Sequence, residues 1–285
     1  MDLPASDSSS AVDPHSAAVT TARELEPFVD KVLTELESNG FSEIPSLLPP
    51  QVASTLLALY RQHWGAELDA AFQTDTLRPN AQRIAECSRV IRTSVVIPDA
   101  LGKAGFEAFS WGFVGKRPGA ESEVGVHQDW SVVVESAGHR SLGLWIALHE
   151  IPMRSGRLEV APGTHRRSRA PRGDGLRSEW LDALRDCDFR QVATKTGDSV
   201  VFDEAIAHRS RPNLGDRPRC AVRIRLKPQG APLVQSWRLD AHRAGMRTLP
   251  IAAFADPFRY LQRRPSDSQA ESVIRLGGFD LLAFD

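Results

Sequence analysis

Two stretches of this chain carry the residues that decide its fold: VGVHQDW at residues 124–130 and VVFDEAIAHRS at residues 200–210. His127 and Asp129 stand two apart, and alternate residues of a β-strand point to the same face of a sheet. One strand can therefore present an imidazole and a carboxylate to a single metal ion. His208, which follows an apolar run, would add a second imidazole from a separate strand. Two nitrogens and one oxygen suit a ferrous ion and leave three coordination positions open.

An HxD pair alone is weak evidence for a metal site, because chance gives one in about half of chains with this histidine content. The strand-like surroundings of both stretches strengthen the case. His165, at the end of the turn formed by residues 162–165, competes with His208 for the third ligand position. We prefer His208, because a barrel site draws its ligands from strand ends that face the interior.

Composition describes an ordinary globular protein of 285 residues, with 41% hydrophobic and 25% charged residues. The 35 basic and 36 acidic residues give no electrostatic case for nucleic acid or an acidic membrane surface. No apolar run is long enough to span a bilayer. The three cysteines form no CxxC pair, which fits a reducing compartment, and we expect a cytoplasmic protein.

The periodicity of the chain changes near residue 109. Residues 1–20 are polar and predict a disordered tail, and residues 21–108 contain helical patterns, with the tract 83–97 ambiguous between helix and strand. Short apolar runs separated by turn residues then predict an antiparallel sandwich or barrel over residues 109–228. These runs are 109–114, 125–134, 141–148, 158–161, 190–194, 199–202 and 220–226. The extension 229–285 predicts arginine-rich loops and short helices.

Arg219 stands eleven residues beyond His208 and is a fixed cation suited to holding a dicarboxylate by a bidentate fork. Arg223 and Arg225 lie an even number of residues further on, so an unbroken strand would point all three to one face. Arg217, Arg223 and Arg225 therefore compete with Arg219 for this role. A surface salt bridge is the favoured interpretation for these three competitors.

A second group of basic residues allows two interpretations. It comprises His165, Arg166, Arg167, Arg169 and Arg172. A solvated loop is the favoured one, and an entrance that attracts an anionic substrate is the other.

Four ordered motifs resemble the phytanoyl-CoA dioxygenase family of Fe(II)/2-oxoglutarate-dependent oxygenases. They are LESNGFSEIPSLLPPQVASTLLALY (36–60), FVGKRPGAESEVGVHQDW (113–130), SLGLWIALHEIPMRSGRLEVAPGTH (141–165) and GDSVVFDEAIAHRSRPNLGDRPRCAV (197–222). The resemblance implies a mainly β fold with flanking helices, a double-stranded β-helix related to the jelly roll. On this basis residues 21–285 form a single oxygenase domain, with the β-helix core at 109–228.

The resemblance also assigns roles to individual residues. His127, Asp129 and His208 match the iron ligands, and Arg219 matches the arginine that binds the distal carboxylate of 2-oxoglutarate. Further residues match positions that line the co-substrate pocket: Ser210, Lys116 and Trp145. Halogenating relatives replace the carboxylate of HxD with a small residue, so the presence of Asp129 argues against halogenation.

The implied function is dioxygenase activity that consumes 2-oxoglutarate and dioxygen and oxidises a small molecule, with hydroxylation as the default outcome. Desaturation, cyclisation, epoxidation or epimerisation would use the same residues. The alternative of a different class is a cupin-like metal-binding protein or isomerase without oxygenase activity. Several aromatic and apolar residues near the motifs predict an apolar pocket for a lipophilic or aromatic substrate: Trp111, Phe113, Trp130, Val132 and Trp145.

Overall fold

The structure is a computed structural model that describes residues 26–64, 71–74, 80–135, 138–193, 195–251 and 264–276. These residues form four α-helices and thirteen β-strands. The tail predicted over residues 1–20 lies outside the described ranges. Within those ranges, no helix is long and apolar enough to cross a membrane.

The helices all lie in the N-terminal part of the chain: α1 Glu26–Asn39, α2 Pro50–Trp64, α3 Ala81–Ser94 and α4 Asp99–Lys103. Helix α1 ends where its sequence predicts, because Gly40 adopts a φ of 82° that glycine tolerates best. The ambiguous tract 83–97 is mostly helical. Its helix α3 is capped by the Asn80 side chain, which accepts a hydrogen bond of 3.1 Å from the backbone N–H of Arg83.

Ten strands build two antiparallel sheets: β1 Phe41–Ile44, β2 Phe72–Thr74, β3 Phe106–Lys116, β4 Val124–His127, β5 Leu142–Ala147, β6 Leu158–Val160, β7 Arg190–Val192, β8 Ser199–Asp203, β9 His208–Ser210 and β10 Arg219–Pro228. The larger sheet has the order β1-β8-β5-β10-β3-β2, and the smaller sheet has the order β4-β9-β6-β7. This arrangement confirms the double-stranded β-helix with flanking helices.

Alternation along the strands separates two buried layers. On β5, Leu144 and Ile146 pack against the helices, whereas Trp145 points to the other side, into the space between the two sheets. On β10, Val222 and Ile224 face the helices in the same way. The intervening arginines of β10 consequently face the interior of the β-helix. The even spacing of these arginines therefore places them on one face of β10, as the sequence predicts.

The strands of the β-helix do not all come from the predicted core at residues 109–228. Strand β1 pairs with β8, and β2 pairs with β3, so the N-terminal part supplies both edges of the larger sheet. Strand β3 also begins at Phe106, three residues before the predicted run. The proposed division of the domain remains a prediction.

Two predicted segments differ from the structure. The run 125–134 was expected to be one strand, but β4 ends at His127, because the backbone N–H of Asp129 bonds to the carbonyl of Glu204 at 3.1 Å instead of continuing the ladder. The extension after Pro228 contains a three-stranded sheet rather than loops and short helices: β11 Leu233–Arg238, β12 Arg243–Leu249 and β13 Ser272–Arg275. The sequence of β11 lacks the alternation of apolar and polar residues that predicts a strand, because its polar residues are buried together with its apolar ones.

The helix-facing layer provides a test of stability. Leu144→Ala should lower the free energy of unfolding by about 2–5 kcal/mol, since Leu144 is fully buried in the layer beneath the helices. Leu214→Ala is the matched control, because that side chain is 54% exposed. Urea unfolding of both variants measures the difference. Equal losses in the two variants would contradict the assignment of this layer as the core.

Candidate metal centre

The structure brings together the three residues of the predicted metal site. His127 ends β4, His208 begins β9, and these two residues are directly paired across the smaller sheet. Their ring centroids are 4.1 Å apart. The Oδ2 atom of Asp129 lies 3.8 Å from Nε2 of His208. One potential ligand atom of each residue lies within 4.8 Å of the others, which is close enough for all three to bind one ion.

Backbone carbonyls orient both imidazoles. The Nδ1 atom of His127 lies 2.8 Å from the carbonyl oxygen of Gly125, and Nδ1 of His208 lies 3.1 Å from that of Ile206. A carbonyl only accepts, so each Nδ1 must carry the proton. Each Nε2 therefore keeps its lone pair for a metal ion. Burial also lowers the pKa of His208 to about 4, which keeps this imidazole neutral at ordinary pH.

Asp129 lies beyond the end of β4, and hydrogen bonds with other segments hold it in place. Its backbone N–H donates to Glu204, its carbonyl accepts from Nε of Arg172 at 2.7 Å, and its carboxylate accepts from Arg223 at 2.6 Å. Burial acts to raise the pKa of Asp129, but nearby positive charge, that of Arg223 above all, outweighs it and holds that pKa below its usual range. The third donor is therefore an ionised carboxylate, and the set matches the N,N,O chemistry of a ferrous site.

Arg219 lies at the start of β10, where it is 2% exposed and lines the same cavity. Its Nη1 donates to the carbonyl of Gly156 at 2.6 Å, and its guanidinium lies 5.4 Å from the ring centre of Trp145. In the described part of the chain, Nε of Arg219 has no hydrogen-bond partner and no carboxylate pairs with this guanidinium. Burial lowers the pKa of Arg219 to about 10, so it still carries its charge at neutral pH. A buried cation without a counter-ion fits a carboxylate ligand.

Lys116 and Ser210 form a unit beside Arg219. Lys116 is fully buried, and its Nζ donates to the backbone carbonyl of Ser210 at 3.0 Å, to the Ser210 hydroxyl at 2.5 Å and to the carbonyl of Arg211 at 2.7 Å. Its three hydrogens are then all used. Because the Ser210 oxygen accepts from Lys116, its own hydrogen is left to donate into the cavity, which Ser210 lines. Burial lowers the pKa of Lys116 to about 7.

The competing candidates lie elsewhere. His165 is buried away from the cluster, with its Nε2 lying 3.2 Å from the carbonyl of Glu37. Arg217 is largely exposed, as a surface residue should be, and is 4.0 Å from Asp216. The surface interpretation was wrong for Arg223 and Arg225, which line the cavity and pair with the fully buried Glu204.

The cavity around the cluster has a volume of about 890 Å³, which is in the range for small-molecule sites. Trp130 and Trp145 line it, as predicted. Trp111, Phe113 and Val132 do not; the first two pack on the helix side of the larger sheet. Arginines contribute more of the wall than the sequence suggested: Arg172, Arg177, Arg209, Arg219, Arg223, Arg225 and Arg264. The wall is therefore more cationic than the sequence predicted, although most of its exposed surface is apolar, as the prediction has it.

Arg172 and Glu204 are the supporting residues that the sequence did not reveal. Arg172 falls in the basic group expected to be solvated, yet it is 3% exposed and pairs with the buried Glu135 at 2.6 Å. Glu204 was part of the quoted motif but had no assigned role. Its position four residues before His208 carries no signal of its own, because its partners are distant in sequence.

Substitution of the cluster should remove metal binding. His127→Ala, Asp129→Ala and His208→Ala should each weaken Mn(II) binding at least tenfold, because each removes one of three donors. Electron paramagnetic resonance of free Mn(II) measures the affinity. His165→Ala is the control and should bind like the unmodified protein. Loss of binding in the control with retention in His208→Ala would move the third ligand to His165.

Comparison with known proteins agrees with this geometry. The family model described as phytanoyl-CoA dioxygenase matches residues 36–221, which is more than half of the chain. The rat protein named phytanoyl-CoA dioxygenase domain-containing protein 1 (Rattus norvegicus) is 26% identical over 206 residues, covering 69% of this chain and 65% of the relative. The chain thus spans less than two thirds of that relative's length.

Solved structures share the fold at low sequence identity. A non-heme alpha-ketoglutarate-dependent carbocyclase of nogalamycin biosynthesis, SnoK, superposes with a TM-score of 0.56 and 19% identity, covering 71% of this chain and 85% of that one. The epimerase SnoN, solved with Fe³⁺ and alpha-ketoglutarate, gives a TM-score of 0.52 and 17% identity over 73% and 86% of the two chains. With the family model matched across both metal-site motifs, the chain belongs to the phytanoyl-CoA dioxygenase family.

Proposed function

We propose that this protein is an Fe(II)/2-oxoglutarate-dependent dioxygenase that oxidises a small molecule. One observation carries the proposal: an N,N,O donor cluster lines the same cavity as a buried arginine, Arg219, that has no counter-ion among the described residues. Family membership supports it. The structural neighbours SnoK and SnoN, which are described as alpha-ketoglutarate-dependent or bound to alpha-ketoglutarate, have the same fold.

His127, Asp129 and His208 would hold the iron. When bound, iron with 2-oxoglutarate and dioxygen supplies oxidation of an unactivated C–H bond, with succinate and carbon dioxide as the other products. The imidazole of His208 and the carboxylate of Asp129 are available as donors without loss of a proton at neutral pH.

Arg219 would bind the far carboxylate of 2-oxoglutarate. Its Nε has no partner among the described residues, so a carboxylate can accept from it without displacing an existing bond. The hydroxyl of Ser210, oriented by Lys116, would donate a further bond to the same co-substrate. Trp145 limits the space around the Arg219 guanidinium. Lys116 is therefore a positioning residue, although its sequence match suggested direct contact.

Hydroxylation is the proposed default reaction. The named activities of the structural neighbours, carbocyclisation and epimerisation, show that this fold also hosts other outcomes. The alternative from a different class is a cupin-like metal-binding protein or isomerase. Addition of Fe(II) and 2-oxoglutarate without oxygen separates these classes: the chelate of an oxygenase gives a weak visible charge-transfer band, which a zinc-binding protein does not give.

The co-substrate anchor can be tested directly. Arg219→Leu should raise the concentration of 2-oxoglutarate needed for succinate formation by about 30- to 1000-fold, because it removes a charge-assisted pair from a buried site. Mn(II) binding should persist. Arg217→Leu is the control, because its side chain is 84% exposed. If Arg223→Leu raised the requirement and Arg219→Leu did not, the anchor would lie four residues further along β10.

The reaction class follows from Asp129. This carboxylate occupies the position that a halide would need, so chloride should be neither required nor incorporated. Succinate formation and product mass under ¹⁸O₂, with chloride present, provide the measurement. One labelled oxygen in the product indicates hydroxylation, and the loss of two hydrogens indicates desaturation or cyclisation. A chlorinated product would contradict the proposed reaction class.

A further inference from the structure

A second arginine of β10 faces the metal cluster from the opposite end of the cavity. Arg223 lies four residues after Arg219 on the same face of the strand, which places their Cα atoms about 13 Å apart. Its side chain is 21% exposed and lines the cavity. The two guanidiniums therefore occupy different places, one beside Trp145 and Gly156 and the other beside Asp129.

Among the described residues, one nitrogen of Arg223 makes hydrogen bonds. Its Nη2 donates to Oδ2 of Asp129 at 2.6 Å and to Oε1 of Glu204 at 3.0 Å. In the described part of the chain, its Nε and Nη1 have no hydrogen-bond partner, although a guanidinium has five donors. Arg225, two residues on, uses Nε and Nη2 on Glu204 at 2.6 Å each and Nη2 also on the carbonyl of Trp130. Arg223 thus keeps donors for a ligand in the cavity.

The charge balance favours an anionic ligand. The buried groups around Asp129 form a network of four arginines and four carboxylates, which cancel: Arg169, Arg172, Arg223, Arg225, Asp129, Glu135, Asp203 and Glu204. A ferrous dication and a 2-oxoglutarate dianion also cancel. Seven arginines line the cavity against two aspartates, Asp129 and Asp174, and this excess of cationic side chains favours an anionic substrate. Asp174 also lines the cavity and is the acidic group that could select a cation instead.

An aromatic side chain lines the same cavity as Arg223. Trp130 directly follows Asp129, is 40% exposed and lines the cavity. Most large apolar residues of the described chain are buried, so an exposed tryptophan in a cavity indicates a binding surface. Apolar side chains also line the cavity: Phe72, Val124, Leu176 and Leu181.

We propose that the substrate is a small carboxylic acid with an apolar or aromatic body. Its carboxylate accepts from the unused donors of Arg223, and its body lies against Trp130. Arg223 is then a specificity-determining residue, distinct from the co-substrate anchor. The inference rests on the proposed function, because it takes the metal and 2-oxoglutarate as neighbours of the substrate.

Binding of matched probes tests the inference without turnover. The probes are 3-phenylpropanoic acid, its amide and 3-phenylpropylamine, with indole-3-acetic acid and its amide as a second pair. The full-length protein is loaded with Mn(II) and saturating 2-oxoglutarate under argon, and broadening of the probes' aromatic proton signals reports binding near the metal. The acids should bind about 10- to 100-fold more tightly than the amides. Arg223→Gln should lower the affinity for the acids to that for the amides.

Controls separate this inference from the proposed function. Mn(II) affinity is measured for every variant, and Arg217→Gln should leave both metal and acid binding unchanged. If Arg223→Gln weakens Mn(II) binding, Arg223→Lys provides the comparison, because it keeps one donor for Asp129 while losing the free guanidinium edge. Equal binding of acid and amide in both pairs, or tighter binding of the amine, overturns the carboxylic-acid substrate while the metal centre stands. Failure of the unmodified protein to bind Mn(II) overturns both.

Discussion

The carboxylate of Asp129 is held at the metal cluster by a buried ionic network, and the arrangement of the site depends on this. Asp129 follows the end of β4, so the sheet does not fix its backbone. Arg172 holds its carbonyl and Arg223 holds its carboxylate. Both arginines are themselves anchored by buried acids, Glu135 and Glu204. Removing one partner of such a network typically costs about 3–5 kcal/mol, because it leaves a charge unpaired in the interior.

The network also joins separate parts of the fold. Glu135 follows the metal-binding segment, Asp203 ends β8 and Glu204 follows it. Arg169 contacts Asp203 at 2.9 Å and Glu135 at 3.6 Å, so the loop between β6 and β7 is tied to both segments. Paired charges hold this loop over the cavity. Hydrophobic contacts in their place would leave more apolar surface around the metal. The wall of the cavity consequently combines paired charges with apolar surface, and Trp130 is an exposed aromatic group on it.

Strand β10 distributes two different tasks along one face. Its alternation sends Val222 and Ile224 to the helices and sends arginines to the interior. Arg219 has no acidic partner among the described residues, whereas Arg223 shares its Nη2 between two carboxylates. One arginine of β10 thus has no acidic partner among the described residues. Another, at the other end of the cavity, pairs with two carboxylates through one of its nitrogens. The difference comes from the segments that follow β4 and β8, which carry Asp129 and Glu204, not from β10 itself.

The sequence by itself predicted the flanking helices and an antiparallel sandwich or barrel from local periodicity, and the resemblance of its ordered motifs to a family implied the β-helix. Strand spacing and these motifs also predicted the cluster of His127, Asp129 and His208. The sequence also placed Arg219, Arg223 and Arg225 on one face, since strand geometry has a period of two. Only the tertiary structure decided which arginines are paired, since Glu135 and Glu204 reach their partners across long separations in the chain. The buried state of Arg172, the end of β4 and the sheet after Pro228 depend on the same kind of distant contact, which no local pattern encodes.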